Sequence, residues 1–278
     1  MSASLLQTSG AKGAQIYVVT GANRGLGRAI AVELSQRAAA DKPRHILLVG
    51  RNQQGLESAA FESTGTHAHT YTLGSVDLSA DAGQTTKAVL AKLQAIVAAL
   101  PALPKLLCLV NNAGSIGDLS KTVDQYAADE IASYTSMNFV SYASLTSGFL
   151  EYCGAMGGAV EKVAVVNISS LLAVQAFANW GLYAALKAAR DRFLEVAALE
   201  TQGDGGRTRL LSYAPGPLDN DMQAEVRASI MDPEQRKIYG DMHRQGKLVR
   251  VQDSAKAMCD LLDKWEFQSG AHIDYYDV

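Results

Sequence analysis

The segment LYAALK places Tyr183 and Lys187 four residues apart, a spacing that turns both side chains toward one face of a helix. A free phenol ionises near a pKa of about 10 and is a poor acid at neutrality. An ammonium one turn away stabilises the phenolate and brings that value down toward a useful range. Ser170, at the end of the apolar run VAVVNISS, carries a hydroxyl that could hydrogen-bond the same carbonyl oxygen as the phenol. Together the three could hold and protonate a carbonyl while it is reduced. Tyr/Lys pairs at this spacing occur on many helices, so the pair alone decides nothing.

A second constellation, VVTGANRGLGRAI, sets Gly21, Gly25 and Gly27 between an apolar run and an amphipathic one. Glycines let a backbone take positive φ and approach a phosphate, and the helix that follows offers N–H donors and a positive dipole end. The spacing is G-x-x-x-G-x-G rather than the commoner G-x-G-x-x-G, and by itself it could be only a tight turn. Arg24 lies inside this loop, and Arg51 follows the second apolar run in LLVGRN. A site for NAD places an acidic residue near the end of that run to hold a ribose 2′-hydroxyl; an arginine there suits a 2′-phosphate. Singly, each arginine reads as a solvated surface charge. Together they favour NADP(H) over NAD. Asp77, in SVDLS, could accept a hydrogen bond from an adenine amino group or cap a helix beginning near Ser79.

Elements of two kinds must position these residues. Near-continuous apolar runs occur at 15–20, 45–50, 67–73, 105–112, 162–170 and 209–214, with a last strand at 271–276. Longer periodic segments separate them, notably 82–99, a stretch through about 122–152, 181–200 and 252–264. That alternation predicts βαβ units and a parallel sheet, an α/β fold. No Pro/Ser-rich linker or fixed repeat divides the chain, so a single domain over 1–278 is expected, with 1–14 flexible. The least regular segment, 215–250, contains Pro215, Pro217 and Pro233 and suits a flap over a substrate.

Composition excludes several function classes. A net charge of −3 without a long basic run argues against nucleic acid and against a polybasic membrane anchor. The apolar region 88–110 is interrupted by Lys92, Gln94, Pro101, Pro104 and Lys105, so no membrane span is expected there. Cys108, Cys153 and Cys259 are scattered and odd in number, which suggests buried thiols in a reducing compartment rather than a zinc cage or disulfide framework. The start lacks a secretory pattern, so a cytoplasmic protein with no metal is expected.

TGANRGLG, NNAG at 111–114, Asn138, Ser170, the Tyr183/Lys187 pair and PGP at 215–217 stand in the order and spacing of the short-chain dehydrogenase/reductase family. The chain resembles that family over about residues 15–276. The resemblance implies a doubly wound (Rossmann) fold of about seven parallel strands with helices on both faces. It also implies hydride transfer between a nicotinamide and a carbonyl or alcohol. By it, Tyr183 is the general acid, Lys187 binds the nicotinamide ribose and tunes Tyr183, and Ser170 orients the substrate oxygen. Asn138 holds a water in a proton relay, unless it only braces a helix bend. The cofactor contacts fall on Gly21, Asn23, Arg24, Gly25, Leu26 and Gly27, then on Arg51, Asn52, Asp77 and Leu78. Asn112, Ala113, Gly114, Tyr183, Lys187, Leu218, Asn220 and Met222 complete them, although Asn220 stands where many members have threonine. A homodimer through the helices near 122–152 and 181–200 follows from the same resemblance.

Family membership does not choose the carbonyl. The segments VVNISSLLAVQAF, LYAALKAARD, YAPGPLDNDMQ and SGAHIDYYD are similar to those of the family's pterin-reducing members. A pterin presents N3–H and a 2-amino group side by side, and one carboxylate can accept both. In the terminal strand Ala271, Ile273 and Tyr275 fall on one face and His272, Asp274 and Tyr276 on the other. By the resemblance Asp274 anchors the pterin, with Asp219, Asp221 and Asp277 as rival carboxylates and a solvated edge charge as the plain alternative. Ser170, Leu171, Tyr183 and Gly216 line the rest of the substrate pocket. The reaction expected is NADPH-dependent reduction of a side-chain keto group of a 6-substituted pterin, as in tetrahydrobiopterin synthesis. A carbonyl reductase of other ketones and a non-catalytic NADP-binding sensor compete with it; an intact Ser170/Tyr183/Lys187 set disfavours the sensor.

Overall fold

Seven apolar runs become the strands of one parallel sheet in the computed structural model, which describes residues 13–278. The strands are β1 (Gln15–Thr20), β2 (Arg44–Val49), β3 (Ala68–Leu73), β4 (Leu106–Asn111), β5 (Lys162–Ile168), β6 (Thr208–Ala214) and β7 (His272–Asp274). Their order is β3-β2-β1-β4-β5-β6-β7. The winding reverses between β1 and β4, and ligands of doubly wound sheets settle outside the carboxyl ends of strands at such a point.

Alternate side chains of each central strand enter opposite cores, as period-two geometry requires. Tyr17, Val19, Ile46 and Leu48 pack with Ile30 and Leu34 of α1 (Gly25–Gln36), Leu56 of α2 (Gln53–Glu62) and Met258 of α9 (Val251–Lys264). Ile16, Val18, Leu47 and Val49 face the other way, toward Leu93 of α3 (Ala82–Ala98), Phe149 of α5 (Ser141–Ala155) and Leu194 of α6 (Gly181–Glu200). These strands have no solvated side, which is why their sequences read as unbroken apolar runs.

Four expectations are corrected. Residues 1–12 of the start expected to be flexible lie outside the described residues, but Gly13 and Ala14 are buried, and Ala14 accepts a hydrogen bond from the Lys105 backbone at 2.8 Å. The stretch 122–152 is not one helix: a 3-10 turn (Val123–Gln125) precedes α4 (Ala128–Thr135), and a π turn (Ser136–Val140) separates α4 from α5. Segment 215–250 is more regular than its prolines suggested. It holds α7 (Asp221–Ser229) and α8 (Pro233–Arg244), because Asn220 and Asp232 cap them and Pro233 occupies a first-turn position where its missing N–H costs nothing. An isolated parallel bridge, Leu218 with Val249, closes the neck of this excursion.

The terminal strand, finally, stops at Asp274 and continues as a 3-10 turn, Tyr275–Asp277. The alternation of faces therefore ends before Tyr275 and Tyr276. The Asp274 carboxylate itself ends the strand by accepting the Tyr276 backbone N–H at 3.0 Å.

Candidate active site

The turn after β1 is built to let another group come close. Gly25 sits at φ +55°, in the left-handed region that favours glycine. A methyl group on Gly27 would meet the Asn112 side-chain nitrogen at 2.4 Å and the Gly21 carbonyl oxygen at 2.5 Å. The Asn112 amide donates to the Thr20 and Gly21 carbonyls at 2.9 and 3.2 Å, and Thr20 Oγ1 accepts from the backbone of Asn112 and Ala113. The NNAG segment after β4 is thereby tied to the glycine turn after β1, across the point where the winding reverses.

A cleft of about 420 Å³ opens along this line. Every cofactor-side residue expected from the sequence lines it except Gly27, whose part is the close packing just described. Gly50, Val76, Met137, Ile168, Ser169, Pro215 and Asp221 line it as well, without having been picked out as cofactor contacts. Asp77 does not cap a helix at Ser79: α3 starts at Ala82 with Asp81 as its cap. Asp77 instead accepts from the Ser79 N–H and hydroxyl at 2.9 and 2.6 Å, and these bonds, more than Arg51, hold its carboxyl below the usual range. Asn220 Oδ1 caps α7, and its amide nitrogen reaches to 4.0 Å from the position of a Cβ on Gly25. Arg24 is paired with Asp221 at 3.1 Å across the cleft mouth.

These residues fit a pyridine dinucleotide: a glycine turn at a helix N-terminus, no acidic side chain directly following β2, and two arginines, Arg24 and Arg51, in the cleft wall. Among the described residues no cluster of three or more metal-ligating side chains occurs. No helix there is long and apolar enough to cross a membrane.

Tyr183 and Lys187 reach the inner end of the cleft from the first two turns of α6. The Lys187 ammonium stands 5.5 Å from the centre of the Tyr183 ring and donates to the Ile168 carbonyl. Ser170 ends the β5 connection beside Tyr183, and its Oγ accepts from Leu172 N at 3.2 Å. The electrostatics differ from the sequence expectation in one respect. Burial raises the Tyr183 pKa above the ordinary phenol value, and the opposing influences are the Ser170 hydroxyl and the Arg190 guanidinium. Lys187 is itself pushed down to about 7, first by burial and then by Arg190, so it is a weak source of fixed positive charge.

Asn138 lies in the π turn and is buried. Its Oδ1 accepts from Ser115 N at 2.9 Å and its amide donates to the Tyr134 carbonyl at 3.2 Å, contacts that brace the bend between α4 and α5. Leu171 is exposed outside the cleft, and at Gly216 (φ +76°) Val249 and Tyr275 crowd the position that a Cβ would take. Asp274 is not among the cleft residues. It pairs in register with Ala214, which puts it at the carboxyl edge of the sheet, two strands from β5. The excursion of α7 and α8 covers this end: Trp180, Val226 and Ile230 form a small core against Tyr183 and Tyr239. Trp180 Nε1 donates to Gln235 at 2.7 Å and fastens it.

A glycine turn at a helix N-terminus beside a half-buried tyrosine and a buried lysine, at the switch point of a doubly wound sheet, suits hydride exchange with a carbonyl. A family profile described as short chain dehydrogenase matches residues 15–230, and the chain belongs to that family. It is an oxidoreductase, and membership brings a nicotinamide cofactor. It is similar along nearly its whole length to sepiapterin reductases: 42% identical over 275 residues to that of Meriones unguiculatus, covering 97% of this chain and 99% of the relative. Identity to sepiapterin reductase of Bos taurus is 40% over 275 residues, covering 96% and 97%. The solved structure of the KRED1-Pglu enzyme matches with a TM-score of 0.76 and 25% identity, covering 93% of this chain and 100% of that one.

Proposed function

We propose that the protein reduces side-chain keto groups of 6-substituted pterins with NADPH. The observation that carries this reading is the placement of Asp274. The carboxylate ends β7 level with Ala214, on the same sheet edge as Ser170 and Tyr183. A planar ring held there by its paired N–H donors would direct its side chain toward the phenol. Similarity to sepiapterin reductases over nearly the whole chain supports the assignment.

The glycine turn, Arg51 and Arg24 would hold the cofactor phosphates, and Lys187 and Tyr183 its nicotinamide ribose. Bound NADPH supplies the hydride that reduces the carbonyl carbon. Tyr183 Oη gives its proton to the carbonyl oxygen, and the product is an alcohol. Ser170 Oγ donates a hydrogen bond to that oxygen and fixes its distance from the phenol. The raised pKa of Tyr183 keeps the phenol protonated at neutral pH, the form that reduction needs. The α7–α8 excursion keeps water from the reacting atoms.

A homodimer through the outer faces of the π turn, α5 and α6 belongs to the same reading, since Val140 of the π turn and Val196 and Leu199 of α6 are exposed. Three free cysteines, all buried, agree with a cytoplasmic location.

Sepiapterin turnover, followed by loss of NADPH absorbance with NADH in parallel, tests the proposal. Sepiapterin should be reduced faster than a panel of steroid and quinone ketones, and NADPH should be preferred. Faster turnover of those ketones would make the protein a general carbonyl reductase. Wild type and Tyr183→Phe inactive alike on every carbonyl, with NADPH still bound, would indicate a sensor.

A further inference from the structure

Tyr183, Lys187 and Arg190 follow one another at i, i+4 and i+7, so α6 presents three functional groups on one face. Arg190 is 2% exposed. Its Nε donates to the carbonyl of Asn138, in the π turn, and its two terminal nitrogens each lie 3.3 Å from the carbonyl of Ala113, in the cofactor floor. The guanidinium also lies 4.9 Å from the centre of the Tyr142 ring. No ion pair to it occurs among the described residues. A buried cation with no carboxylate partner is costly, and carbonyls and an aromatic face compensate it only in this one geometry.

We propose that Arg190 is a positioning residue of the hydride-transfer site, which ties the Asn138 and Ala113 carbonyls to the catalytic helix and brings a guanidinium to the helix face that carries Tyr183. The π turn explains how the first contact arises. The π turn widens the helix there, and the Asn138 carbonyl within it accepts from Arg190. Through the second contact Arg190 holds the segment that floors the cofactor cleft. Its charge acts on the phenol as well, lowering the Tyr183 pKa against the stronger effect of burial. Tyr134 of α4, Tyr142 of α5, Lys187 and Asp191 of α6 and Tyr239 of α8 are the other titratable groups facing this pair.

The inference rests on Tyr183 being the proton donor, and the test separates the two. Wild type, Arg190→Met, Arg190→Lys and Tyr183→Phe are compared in the pH profile of kcat/KM for NADPH-dependent reduction, with NADPH affinity and melting temperature measured alongside. A phenol deprived of the guanidinium ionises at higher pH, so the alkaline limb of Arg190→Met should move up, and kcat should fall roughly ten- to a hundredfold through lost positioning. Arg190→Lys keeps the charge but not the fork. Its limb should stay at the wild-type position while kcat still falls, and this variant carries the test should Arg190→Met not fold. An inactive Tyr183→Phe together with an unmoved limb in Arg190→Met, or undiminished kcat in Arg190→Lys, would overturn the role of Arg190. An active Tyr183→Phe would instead remove the catalytic reading beneath it.

Discussion

His272 Nδ1 lies 2.7 Å from Asp191 Oδ2, which joins the last strand of the sheet to the helix that carries Tyr183 and Lys187. Asp191 also accepts from Asn167 Nδ2 and Ser169 Oγ, each at 2.8 Å, so one carboxylate gathers β5, β7 and α6. Its neighbour Arg190 is turned toward the Asn138 side. The helix thus uses consecutive residues to hold both flanks of the site.

The first prediction concerns pH. The Asp191 hydrogen bond raises the His272 pKa above the ordinary histidine value, with burial opposing it and Asp274 and Asp277 adding to it. A raised folded value means that the pair stabilises fully below the unfolded pKa of about 6.5 and that this contribution is lost as pH rises through the folded value. Melting temperatures of wild type and His272→Asn should differ most at acid pH and converge on the alkaline side. A gap that widens with pH would contradict the pairing.

The pterin anchor gives a second. Asp274→Asn keeps an oxygen for the Tyr276 N–H, so the terminal turn should survive while the charge is removed. A charge-assisted contact is worth about 1.5–3 kcal/mol, so KM for sepiapterin should rise roughly ten- to a hundredfold. NADPH affinity, measured by fluorescence quenching, should be unchanged. Equal loss of both would place Asp274 outside the substrate site.

A third concerns the cofactor mouth, where Arg24 and Asp221 are both largely exposed. Such pairs contribute less than about 1 kcal/mol, so Asp221→Asn should tighten NADPH binding by no more than roughly fivefold. Arg51→Asp should lower the NADPH-to-NADH ratio of kcat/KM by roughly tenfold or more, since it replaces a phosphate partner by an anion. An unaltered ratio would mean that the 2′-phosphate lies elsewhere.

What could be read from the sequence was what short-range pattern encodes. The central strands are apolar on both faces, and α6 and the glycine turn declare themselves by local spacing. The lining of the cleft followed, because its residues sit at the strand ends. The break at Asn138 was not legible as a π turn, since the Arg190 that takes its carbonyl is 52 residues away. The helix spacing of Arg190 from Tyr183 was a visible sign that went unused. So was the cap and proline pair Asp232-Pro233, which starts α8 in a segment expected to be irregular. Asp191 and His272 meet across 81 residues, and no local pattern announces such a contact. The end of β7 was misjudged because alternation continues in the letters while the Asp274 side chain turns the backbone.

The bridge between Leu218 and Val249 has a consequence for how such a protein diversifies. Asp219 N donates to Val249 O at 2.8 Å and Val249 N to Pro217 O at 2.9 Å, so both helices leave and return through a paired neck. Residues 223–248 can then vary as one cassette while Asn220, Asp221 and Met222 stay at the cleft and the sheet behind them keeps its register. The far part of the roof is then replaceable without disturbing the cleft beneath it.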